Sequence, residues 1–125
     1  MKKFILFFLI LVLLASCGGG ESKSKTEEPK VVDITKNPDY QKGLELASKS
    51  DCFTCHTVDD KLTGPTYREV ANKYASMPDT IVAHLAGKVI SGGSGVWGEI
   101  MMTPHPALSQ ADAETIVRYI LLLKK

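Results

Sequence analysis

The chain opens on an unbroken apolar run of eleven residues, Phe4 to Leu14, preceded by Lys2 and Lys3. Apolar residues are then almost absent until Val31. Beyond that point they return at helical spacing. Tyr40, Gly43, Leu44 and Ala47 share one face of a helix. That helix is predicted to start at Asn37-Pro38, a side-chain cap followed by proline in the first helical position, and to run to about Ser50. Tyr67, Val70, Ala71 and Tyr74 repeat the i, i+3, i+4, i+7 pattern after Gly64-Pro65 and predict a second helix. Ile81, Val82, Leu85 and Val89 form the inward face of a third. It begins near Pro78-Asp79 and stops at Ser91-Gly92-Gly93, where glycine ends a helix at little steric cost. A fourth starts at Ser109, with Asp112 three residues on as a capping pair. Its inward face is Ala113, Ile116, Val117, Ile120 and Leu121, and Lys124 and Lys125 suit the negative end of its dipole. No stretch alternates at period two, so no sheet is expected, and there is no internal repeat. The predicted class is all-α. Four short helices make a thin core, and a domain this small is marginal without a staple.

The opening run has the layout of a secretory signal, with a basic start, an apolar centre and small residues at its end. It is too short to cross a bilayer, which takes about 20 apolar residues. Leu14-Ala15-Ser16-Cys17 resembles a bacterial lipoprotein box. The resemblance implies that Cys17 is acylated and becomes the mature N-terminus, held by more than one acyl chain and therefore stably. Gly18 to about Thr35 is rich in Gly, Ser, Lys and Glu, and cannot bury enough surface to fold. Such a tether reaches roughly 25 Å. The expected organisation is a signal peptide over 1–16, a lipidated cysteine and tether over 17–36, and a globular domain over 37–125.

At 125 residues the chain has room for one domain. Its formal net charge is +1. From Asp33 onward ten Lys/Arg face eleven Asp/Glu, so nothing calls for nucleic acid as a partner. Three cysteines are an odd number for an exported chain. The count resolves if Cys17 carries lipid and Cys52 and Cys55 carry a prosthetic group.

Cys52-Phe53-Thr54-Cys55-His56 is Cys-x-x-Cys-His. Two thiols at this spacing can reach the two vinyl groups of one porphyrin, and the adjacent histidine then lies under the iron. The competing readings are a dithiol redox pair, half of a zinc site and a structural disulfide. Zinc wants a second pair of ligands, and no further cysteine offers one. A thioredoxin-like pair wants strands alternating with helices. Covalent attachment of one haem c suits the motif and the export signal together.

From Asn37 to Lys125 the sequence resembles a class I cytochrome c, close to the small bacterial c-551/c-552 type. The carrying residues are the Cys52–His56 motif, Gly64-Pro65 and the segment Gly92-Gly93-Ser94-Gly95-Val96-Trp97-Gly98, in the family's order. The resemblance implies about four helices wrapped around one covalent haem. It implies that the Pro65 carbonyl accepts a hydrogen bond from the His56 ring, fixing the ring and raising its basicity. Trp97 would pack at the haem rim and donate its indole N–H to a propionate, the competing role being a half-exposed core tryptophan. The family places its sixth ligand in a Pro-Met-Pro setting, and the equivalent here is Met102. The flanking prolines are missing: Met101 precedes it, Thr103 follows, and Pro104 comes one further on. Met101 and His105 are the alternatives, or an open site. His105 between Pro104 and Pro106 is expected on the surface, and His84 on its helix is expected not to ligate. Gly43 and Tyr119 match the place where the family's terminal helices cross closely.

With His56 and Met102 as the iron ligands, no coordination position stays open, and methionine raises the reduction potential. This implies an electron carrier rather than an enzyme, a monomer tethered to a bacterial membrane and facing the periplasm or extracytoplasmic space. Its redox partners would be a quinol-oxidising complex or dehydrogenase on one side and a terminal oxidase or reductase on the other. The rival reading is a haem-based sensor or small haem enzyme with a displaceable distal ligand.

Overall fold

The structure is a computed structural model, and it describes residues 33–125. The predicted signal, Cys17 and most of the tether lie outside the described residues.

Four α-helices make up most of the described chain: α1 Pro38–Lys49, α2 Tyr67–Tyr74, α3 Thr80–Ser91 and α4 Gln110–Leu122. Each of the predicted helices is present. Asn37 starts α1 as foreseen, its side chain accepting from the Asp39 N–H at 2.8 Å. Helix α2 begins with a full capping box. The Thr66 hydroxyl accepts from the Glu69 N–H at 3.1 Å, and the Glu69 carboxylate accepts from the Thr66 N–H at 2.7 Å. At α4 the Ser109 hydroxyl accepts from the Asp112 N–H at 3.1 Å but donates to the Asp112 carboxylate at 2.7 Å. Aspartate is one methylene shorter than glutamate, and here its carboxylate meets the cap's hydroxyl instead of its backbone. Helix α3 ends on Gly92, whose φ of +67° lies in the left-handed region.

Two features depart from the expectation. The chain does form a sheet: a small antiparallel hairpin of β1 (Gly93–Gly95) and β2 (Gly98–Met102), with Gly93 opposite Met102 and Gly95 opposite Gly98. It left no alternating trace in the sequence because neither strand has a buried face; only Met102 is even half-buried. The second departure is at the tether. Residues Ile34–Lys36, assigned to it from sequence, form a 3-10 turn capped by the Asp33 side chain. Ile34 packs against the core, so the folded body starts before Asn37.

Helix α4 is the centre of the packing. On one side Ile116, Tyr119, Ile120 and the following Leu123 meet Ala47, Cys52, Tyr67 and Ala71, with Tyr40 and Leu44 of α1 at the margin. On the other side Ala113 and Val117 meet Ala86, with Val82, Leu85, Val89 and Ile90 of α3 around them. Ile90 thus takes the part expected of Ile81. The α1–α4 crossing is close at Gly43: a Cβ there would sit 2.6 Å from the Thr115 carbonyl oxygen and collide with the Tyr119 Cβ. The Tyr40 ring meets Tyr119 edge-on at 5.2 Å between centroids.

Candidate functional site

The Cys-x-x-Cys-His segment begins three residues after the end of α1. Asp51 turns the chain in the left-handed region, with φ +57°. A 3-10 turn, Cys52–Thr54, follows. The Cys52 carbonyl accepts from both the Cys55 N–H (3.3 Å) and the His56 N–H (3.1 Å). This folds the two thiols and the imidazole into one tight turn. Cys52 is buried and Cys55 exposed, with no disulfide between them. Burial pushes the Cys52 thiol above its ordinary range. Burial thus disfavours the Cys52 thiolate, the form that acts in thiol–disulfide exchange.

His56 is fixed from three directions. Its Nδ1 lies 2.7 Å from the Pro65 carbonyl oxygen. A carbonyl can only accept, so Nδ1 carries the proton and Nε2 keeps its lone pair for a ligand. The Gly64 N–H donates to the Cys55 carbonyl at 2.9 Å, closing the intervening loop. Gly64 itself lies against the ring, where a Cβ would sit 2.7 Å from Nδ1. The Tyr67 ring stacks on the imidazole, 5.5 Å between centroids and 13° from parallel. Burial holds the Tyr67 phenol well above its ordinary range, so this ring is neutral at any physiological pH.

The hairpin supplies the opposing residues. Trp97 stands in its turn, 44% exposed. Tyr74 approaches the indole edge-on at 6.3 Å, and Lys73 Nζ lies 5.4 Å from its ring centroid. Met102 closes β2 half-buried, whereas Met101 is 71% exposed. Successive strand residues point to opposite faces, so the two methionines are not equivalent. One cavity of about 250 Å³ joins these parts, with Cys52, Cys55, His56, Trp97 and both Met101 and Met102 in its lining. Gly92 lets the Met102–Pro104 segment cross the end of α3: a Cβ there would lie 2.9 Å from the Pro104 nitrogen.

The donor set fits a covalently attached haem. Two thiols and a free imidazole nitrogen share one turn, a thioether stands on another segment, and apolar Val70, Leu85, Ile116 and Ile120 complete the lining. Among the described residues no three His, Cys, Asp or Glu side chains converge as a metal-ligand cluster. Sequence reasoning missed three things. The Thr66–Glu69 box next to Pro65 was visible as Thr-x-x-Glu. The Tyr67 stack on His56 and the place of His105 had no local signal. His105, expected on the surface, is half-buried and lines the cavity, and exposed His84 lines it too.

Residues 40–124 match the sequence model of cytochrome c, and residues 1–17 match that of a prokaryotic membrane lipoprotein lipid attachment site. The chain is 44% identical to cytochrome c-552 of Nitrosomonas europaea over 67% of its own length and 81% of the relative's. It is 44% identical to cytochrome c-551 of Azotobacter vinelandii over 66% of its length and 98% of that protein. The crystal structure of wild-type Nitrosomonas europaea cytochrome c552 superposes with a TM-score of 0.60, covering 65% of this chain and 99% of that one. The class 1 cytochrome MtoD of Sideroxydans lithotrophicus gives 0.56 at 31% identity, covering 66% and 94%. No described helix is long and apolar enough to cross a membrane. On fold, motif and kinship together, the chain belongs to the cytochrome c family of electron carriers, with one covalently bound c-type haem and a lipoprotein signal at its N-terminus.

Proposed function

We propose that this protein is a membrane-tethered shuttle of single electrons in a respiratory chain, with His56 and Met102 as its two axial ligands. The observation that carries the reading is the 2.7 Å contact between His56 Nδ1 and the Pro65 carbonyl. It supports a tautomer with the proton on Nδ1 and the Nε2 lone pair free, beside the two thiols that would form the thioethers, Cys52 and Cys55. When bound, the haem supplies an iron that cycles between ferric and ferrous states. The protein's part is to keep both axial positions occupied and the surroundings fixed. Met102 suits the distal role better than Met101 because it is the half-buried one. Trp97 at the cavity mouth would donate its indole N–H to a propionate. Exposed Cys55 marks the side on which a haem edge would meet solvent and partners. With no open position there is no place for a substrate, which argues for a carrier rather than an enzyme. Cys17 would hold the protein to a bacterial membrane through its acyl chains, with the domain facing the periplasm or extracytoplasmic space. The electron donor would be a quinol-oxidising complex or dehydrogenase and the acceptor a terminal oxidase or reductase, met in small transient encounters by a monomer.

The test is the absorption spectrum of the matured protein. Covalent haem is expected in the wild type and should be lost when Cys52 and Cys55 are both changed to serine. The weak long-wavelength band of a ferric iron–thioether bond should vanish in Met102→Ala and persist in Met101→Ala. A band that survives Met102→Ala overturns the ligand assignment. A folded wild type without haem overturns the whole reading.

A further inference from the structure

All three histidines of the described chain line the same cavity: His56, His84 and His105. His56 is committed to Pro65. His84 stands exposed within α3, where the helical backbone fixes its position. His105 differs from both. It is half-buried, and it follows Met102 by three residues on the same segment. Three residues span no more than about 10 Å, so its backbone cannot be farther than that from the backbone of Met102. Its N–H is shared between the carbonyls of Val89 (3.2 Å) and Ile90 (3.1 Å), pinning it to the end of α3. Pro106 restricts the His105 backbone to extended conformations, and Pro104 does the same for Thr103. The imidazole is thus carried on a stiff, anchored stretch. Met102 has no adjacent proline on either side, and its side chain is long and unbranched.

We propose that His105 is a reserve axial ligand, which takes the distal position on oxidised iron when the Met102 thioether leaves it. The inference rests on the assignment of Met102 as the ordinary ligand. The chemistry favours an exchange that depends on oxidation state. A thioether is soft and prefers ferrous iron, while imidazole binds ferric iron well. One iron–sulfur bond breaks and one iron–nitrogen bond forms, and a neutral imidazole needs no proton change. The haem would then stay closed to outside ligands instead of opening as a sensor would.

The test uses ferric holoprotein and its optical and electron paramagnetic resonance spectra. Met102→Ala should lose the thioether band yet remain low-spin with a bis-imidazole signature. Met102→Ala/His105→Ala should turn high-spin, and His105→Ala alone should match the wild type. If Met102→Ala is itself high-spin, or if the double variant stays low-spin, His105 is not the reserve ligand. If Met102→Ala keeps the thioether band, the ligand assignment beneath the proposal has failed instead. Should Met102→Ala not mature, wild type and His105→Ala are compared in guanidinium below the unfolding transition. There the wild type should exchange to the bis-imidazole spectrum and His105→Ala should go high-spin. Identical spectra of the two proteins would overturn the proposal.

Discussion

Gly64 has no side chain, and that is its contribution to the site. The His56 ring occupies the space where a Cβ would stand. Gly64→Ala must displace either the ring or the loop that carries the Pro65 carbonyl. We expect a lower yield of covalent haem and a weakened or shifted thioether band, with the helical circular dichroism retained; an unchanged spectrum would show that the ring tolerates the shift. A different residue-scale effect belongs to Tyr119. Burial, helped by neighbouring Tyr40, raises its phenol to about 12. The folded state thus holds this proton more firmly than the unfolded chain, where the value is about 10. The resulting stabilisation is complete below pH 10 and is lost as the pH rises from there to about 12. Denaturation followed across this window should show stability falling with pH, and Tyr119→Phe should make the fall shallower. Equal slopes in the two proteins would remove Tyr119 from the account.

At the scale of elements, the crossing of α1 on α4 depends on one missing methyl group. Gly43→Ala drives a Cβ into Tyr119 and the Thr115 carbonyl, both held in packed structure. Overpacking of this kind costs about 1–3 kcal/mol. A denaturant titration should show the midpoint lowered with the slope unchanged. No shift would mean that the helices can separate freely. The same scale shows what the sequence made legible. The helices were readable because each buries one face and exposes the other. The hairpin was not, since β1 is three exposed residues, two of them glycine, and β2 exposes all but its last residue. A strand without a buried face has no period to read. The turn at Ile34–Lys36 escaped for a similar reason, with one apolar residue, Ile34, docking after a polar stretch. In the site, the His56–Pro65 contact was foreseen through the family resemblance, while the Tyr67 stack and the half-burial of His105 arise from tertiary packing alone.

For the whole molecule, the lipid attachment site and the folded domain divide the work. Anchoring is expected to lie with Cys17 and electron transfer with residues 33–125. Cys17→Ser should move the protein from the membrane fraction to the soluble extracytoplasmic fraction while leaving its haem spectrum unchanged. Retention in the membrane would point to a second anchor. At the other end of the chain, the terminal residues are tied back to the body. Arg68 pairs with Asp59 at 2.9 Å and also donates to the Leu123 carbonyl. The Lys125 N–H donates to the Asn72 side chain at 3.1 Å, and the Lys124 ammonium donates to the Ser76 hydroxyl. The end of α4 is thereby held near α2, which follows directly on the loop that orients His56.

Gly43 and Tyr119 touch although 76 positions separate them in the sequence. A chain threaded through a membrane from its N-terminal end delivers Cys52, Cys55 and His56 long before it delivers α4. Until then nothing from Ile116, Tyr119 or Ile120 can close over Cys52. A chain delivered in that order would present both thiols before α4 is there to pack on Cys52. Docking of the last helix would cover Cys52 and leave Cys55 exposed, so closure of this centre waits on the C-terminal end of the fold.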